Sequence, residues 1–99
     1  MNASTLHETH RVSAKFMAGE EADAIAAAAC VDNPGAEVED HGPYITITGN
    51  RRLNFNIDTI VEELGRPYTV PTLLVVLSSY TGQVDVADRC VSIKEALAD

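Results

Sequence analysis

The chain has 99 residues, which argues for one domain around a single modest core. Lys plus Arg number 7 against 15 Asp plus Glu, a net charge of −8 that excludes the basic stripe of a nucleic-acid binder and opposes an anionic membrane. Apolar residues make up 45%, too many for a disordered chain, yet no apolar run, Leu73 to Leu77 included, is long enough to span a bilayer. The N-terminus lacks the basic and apolar regions of a signal peptide, so the expected location is cytoplasmic.

Residues 1–11 are polar, show no period, and are expected to form a flexible N-terminal arm to a single domain spanning 12–99. Val12, Ala14 and Phe16 alternate with Ser13, Lys15 and Met17, which predicts a half-buried strand. Glu20, Glu21 and Asp23 then open an alanine-rich run whose Ala22, Ile25, Ala26, Ala29 and Cys30 share one helical face. Asn33-Pro34-Gly35 should stop that helix. Glu37 to Asp40 and Tyr44 to Thr48 read as strands around the turn His41-Gly42-Pro43, and Leu53 and Phe55 mark another.

Asn56 is placed to cap a second helix, with Ile57, Ile60, Val61 and Leu64 at i, i+3, i+4 and i+7. Gly65 falls at the C′ position and Pro67 follows as a stop. The apolar run Leu73 to Leu77 reads as a strand and Ser78 to Gly82 as a bend. Val84 with Val86, and Val91 with Ile93, give two more strands. The expected class is α+β: duplicated β-α-β-β units and a last strand, with two helices on mostly antiparallel sheets.

Chemistry-bearing patterns are few. His7 and His10 are three apart in the polar arm, where a zinc helix needs four on one face. His41 sits in a turn with no nucleophile beside it in sequence. Carboxylate pairs such as Glu62-Glu63 fall on helix ends and turns, where solvated faces are the rule. Cys30 and Cys90 have no metal-ligand spacing and are expected as reduced, buried thiols. No catalytic, cofactor-binding or metal site is expected, which favours a binding or regulatory protein over an enzyme.

Four segments in order then carry a resemblance: Asp32-Asn33-Pro34-Gly35, Val38-Glu39-Asp40 followed by Tyr44, Glu62-Glu63-Leu64-Gly65-Arg66-Pro67-Tyr68, and Leu77-Ser78-Ser79-Tyr80-Thr81-Gly82. Together they resemble the coupling, or effector, protein of bacterial soluble diiron monooxygenases, the regulatory component of the methane, phenol, toluene, alkene and propane enzymes. The aromatic after Arg-Pro is commonly Phe in that family and is Tyr68 here. The resemblance implies a cofactorless, non-catalytic protein whose partner is the large subunit of a diiron hydroxylase. It further implies a functional link to a reductase and an optional one to a ferredoxin. Such a protein tunes oxygen and substrate access and couples electron transfer to hydroxylation. Ser78, Ser79, Tyr80, Thr81 and Gly82 match the segment that faces the hydroxylase. Asp32, Asn33 and Pro34 form a second candidate contact. Arg66 either pairs across the interface or bonds the last carbonyls of its helix. The competing expectation is a free-standing α+β domain that senses a small molecule.

Overall fold

The computed structural model describes residues 10–96. In chain order they form β1 (Arg11–Met17), α1 (Glu20–Asp32), β2 (Glu37–Asp40), β3 (Tyr44–Asn50), β4 (Arg52–Asn56), α2 (Ile57–Leu64), α3 (Val70–Val76), β5 (Leu77–Thr81), β6 (Gln83–Val86) and β7 (Cys90–Lys94). The strands make two antiparallel sheets, ordered β2-β3-β1-β5 and β4-β7-β6. The class is α+β, as expected. The duplicated order does not divide between the sheets, because β5 joins the first sheet while β4 and β6 belong to the second.

Alternation in each strand builds the core. Ala14 lies opposite Ile47 and Phe16 opposite Ile45, so one face of the first sheet is apolar. Leu53 lies opposite Ile93 and Phe55 opposite Val91 on the second. The two faces meet where Phe16 and Phe55 pack edge to face, with ring centroids 5.4 Å apart. Such a pair contributes about 0.5–1.5 kcal/mol beyond its buried area. α1 packs on β4 and α2 and buries Ala22, Ala24, Ile25, Ala26, Ala28 and Ala29. Those small side chains occupy the inner places. Cys30 is therefore exposed rather than buried, and Cys90 is half-buried; both thiols are free.

Arg11, assigned above to the arm, opens β1 opposite Asn50. His10 Nδ1 lies 2.5 Å from Glu95 Oε1, and Arg51 N donates to His10 O at 2.6 Å. The last two residues of that segment thus belong to the fold; the rest, 1–9, lie outside the described residues.

α2 begins and ends as its sequence dictates. Asn56 Oδ1 accepts from Asp58 N at 3.0 Å, and Gly65, at φ 81°, donates its N–H to Val61 O at 2.8 Å. The left-handed turn needs a residue without Cβ. The next segment differs from expectation. Residues 70–76 form a third helix instead of a strand, because Thr69 caps it and Pro71 fits its first turn. A short apolar run has no period by which to tell helix from strand. The strand starts at Leu77. Of the expected bend Ser78 to Gly82, Ser78 to Thr81 are extended chain in the strand paired with β1, with Ser78 the extra residue of a bulge between Leu77, opposite Phe16, and Ser79, opposite Lys15; only Gly82 bends.

Candidate docking surface

β5 is an edge strand, hydrogen-bonded to β1 on one side only. Ser79 and Thr81 lie opposite Lys15 and Ser13 and share their outer face. Tyr80 lies opposite Ala14, on the core side, but the residue is 45% exposed at the edge of the sheet. Ser78, Ser79, Tyr80 and Thr81 are all exposed. Gly82 has another task. It stands where the chain leaves the first sheet for the second, at φ 126°, and a Cβ there would lie 2.6 Å from Lys94 O. Only glycine passes between β7 and Val12 at this crossing.

The other candidates separate. Asn33 is buried: its Nδ2 donates to Ala29 O at 2.8 Å and to Asn54 O at 2.9 Å, and its Oδ1 accepts from Asn54 N at 2.8 Å. It joins α1 to β4 and offers a partner nothing. Asp32 is half-buried, with Oδ1 accepting from Thr59 at 3.2 Å and Oδ2 buried without a partner. Pro34 is exposed. These three sit over the second sheet, whereas β5 lies along the first. Arg66 bonds neither helix carbonyl; its guanidinium pairs with Glu20 at 3.1 Å. With Met17, Ala18, Gly19 and Val76 it lines a groove of about 170 Å³ between α3 and the start of α1. Tyr68, beside it in sequence, is buried, and its hydroxyl donates to Glu21 at 2.8 Å. Burial, then that carboxylate, push the phenol well above its ordinary range. A phenylalanine at this position would leave Glu21 without that bond.

Met17, Leu74 and Val75 are exposed apolar side chains near that groove or on α3. Their signal is in the sequence: Val75 sits in an apolar run longer than one helix face can bury. His41 stacks on Tyr44 with ring centroids 4.8 Å apart and lies 3.5 Å from Glu39; no nucleophile is among these contacts. Among the described residues no group of three or more His, Cys, Asp or Glu could hold a metal ion, and no helix is long and apolar enough to cross a membrane.

The described residues thus form a two-sheet α+β domain with an exposed edge strand, β5, and an exposed apolar face on α3. The sequence pattern of the MmoB/DmpM family matches residues 10–94, and the chain belongs to that family. It is 39% identical over 57 residues to the phenol 2-monooxygenase stimulatory component DmpM of Pseudomonas sp. (strain CF600). That match spans 58% of this chain and 63% of the relative, under two-thirds of its length. It is 33% identical over 73 residues to the effector subunit of the alkene monooxygenase system of Xanthobacter autotrophicus (strain ATCC BAA-1158 / Py2), covering 72% of each. Among solved structures, the regulatory protein in a phenol hydroxylase–regulatory protein complex superposes with a TM-score of 0.77 at 31% identity, over 85% of this chain and 97% of that one. The soluble methane monooxygenase regulatory protein B gives 0.69 at 27% identity, over 92% and 69%. The family is the effector or regulatory component of multicomponent monooxygenases.

Proposed function

We propose that this chain is a non-catalytic coupling protein that binds the large subunit of a diiron hydroxylase. In this reading it tunes oxygen and substrate access and couples electron delivery from a reductase to hydroxylation. The observation that carries it is the match of nearly a whole solved regulatory chain, seen in complex with phenol hydroxylase, to 85% of this one. The physical mechanism is a population shift: an effector that binds one hydroxylase state better than another raises the share of that state. The exposed β5 residues Ser78, Ser79, Tyr80 and Thr81 supply adaptable hydroxyls and one aromatic anchor. Residues 1–11 are proposed to order on the partner, apart from His10 and Arg11, which the fold already holds.

The small-molecule-sensing alternative has less to stand on. The groove lined by Arg51, Arg52, Gln83, Lys94 and Glu95 is one candidate, and its cations are already engaged. Arg51 bonds Glu95, Lys94 bonds Asp85 and Arg52 bonds Asn54. The test is to titrate the chain into the diiron hydroxylase and reductase of its own organism, measuring product and NADH together. Saturable stimulation with a higher ratio of product to NADH is expected. A flat titration with no complex on gel filtration would remove the proposal.

A further inference from the structure

Residues 67–84 contain no Asp, Glu, Lys or Arg, the longest charge-free run in a chain of which 22% is charged. Such a run normally belongs to a core. Here much of it faces outward. Val70 and Leu73 bury the inner side of α3, while Leu74 is 37% and Val75 75% exposed. Val76 shares its groove with Met17, itself 51% exposed. α3 runs without a break into β5, so the apolar helix face continues into exposed hydroxyls and Tyr80. An apolar, charge-depleted centre beside an aromatic and a polar edge is the composition of an interface core.

The charges around this face indicate the occupant. Glu20 and Glu21 form one wall of the groove, where Arg66, paired with Glu20, is the one cation of the lining, and Asp23 and Glu63 line the next depression along α1, so acids outnumber cations around this face. Two copies meeting face to face about a twofold axis would bring these acids toward their own counterparts, each chain carrying −8. A partner with an apolar patch framed by cations is complementary. We infer that the outer face of α3, Leu74 and Val75 with Met17 beside it, is the apolar anchor by which this chain seats on such a patch of the hydroxylase, next to β5. The inference rests on the functional proposal above, which names the partner.

Val75→Glu places a charge in the centre of the face at an exposed position, so its melting temperature should stay close to that of the wild type. Val86→Glu adds the same charge at a 56% exposed valine on β6. Stimulation of the hydroxylase is titrated with each. The expected result is a rise in half-saturating concentration of about tenfold or more for Val75→Glu, and of less than about twofold for Val86→Glu. Should Val75→Glu unfold, Val75→Ser carries the comparison without a charge and is expected to weaken stimulation in the same direction. A wild-type chain that does not stimulate the hydroxylase overturns the functional proposal and this inference with it. Stimulation by the wild type with unchanged half-saturation in the folded Val75 variant overturns the anchor alone. So does equal weakening by the two glutamates, or a wild-type dimer that Val75→Glu dissociates in sedimentation.

Discussion

Asn33 serves three backbone groups at once, two carbonyls and one amide, from a buried site between α1 and β4. Asn33→Ala leaves them without partners and should cost about 2–3 kcal/mol in urea unfolding. Its effect on hydroxylase stimulation should then track stability alone. Tyr68→Phe removes one hydroxyl bond to Glu21 and should cost about 1 kcal/mol. The same pair has a pH signature. The folded state holds the Tyr68 phenol above its ordinary value of 10.0, so the unfolded chain ionises first. Its contribution is complete below pH 10.0 and is lost as the pH rises beyond that value. Wild-type stability should therefore fall more steeply than that of Tyr68→Phe above that pH, in denaturant melts followed by circular dichroism. Gly82→Ala meets both a positive φ and the Lys94 carbonyl, and should destabilise by about 2–3 kcal/mol.

Elements whose signals are local were legible in the sequence. The cap at Asn56, the stop at Gly65 and the alternation of β1, β3 and β4 are each decided by neighbours within a few residues. α3 was not legible as a helix, since an unbroken apolar run hides its period; Thr69 and Pro71 were the clue. Asn33 ends α1 as expected, but its second task is not local. Its position in Asn-Pro-Gly announces a helix stop, but its partner Asn54 is 21 residues away and on another element. β5 looked like a bend because Ser-Ser and Thr-Gly are turn residues; pairing with β1 overrode that propensity. The element-scale prediction is that Ser78→Ala, Ser79→Ala, Tyr80→Ala folds, since these side chains lie on an exposed edge. It should stimulate the hydroxylase poorly, with loss of the Tyr80 ring dominating, at about 1–2 kcal/mol of binding. Wild-type half-saturation and coupling in this variant would remove β5 from the functional surface.

Across the whole molecule, the proposed docking mode has the −8 charge and the uncharged stretch through α3 and β5 divide the work of association. In that mode acidic surroundings would favour encounter with a cation-framed patch, and the apolar face would hold the complex. Raising salt from low to physiological ionic strength should therefore slow association more than it speeds dissociation, measured by surface plasmon resonance. Removing residues 1–9 should leave the melting temperature unchanged, because they carry no apolar period. Extending the cut through Arg11 should lower it, because β1 loses its first rung and Glu95 loses His10.

The contact between His10 and Glu95 has a topological consequence. Residues 85 apart in sequence are within hydrogen-bond distance, and the β3–β4 crossing at Arg51 is clasped by both: its amide donates to His10 O and its carbonyl accepts from Glu95 N. The described residues, 10–96, thus form a nearly closed ring. Linking the segment after Glu95 to the one before His10 with a short flexible linker, and opening the exposed hairpin at Gly42, would make a circular permutant in which β1 and β7 are sequence neighbours. The clasp then becomes a local contact, and its loop-closure entropy shrinks. Such a permutant should refold faster in stopped-flow measurements at similar stability, with both sheet crossings and the α3–β5 face left as they are.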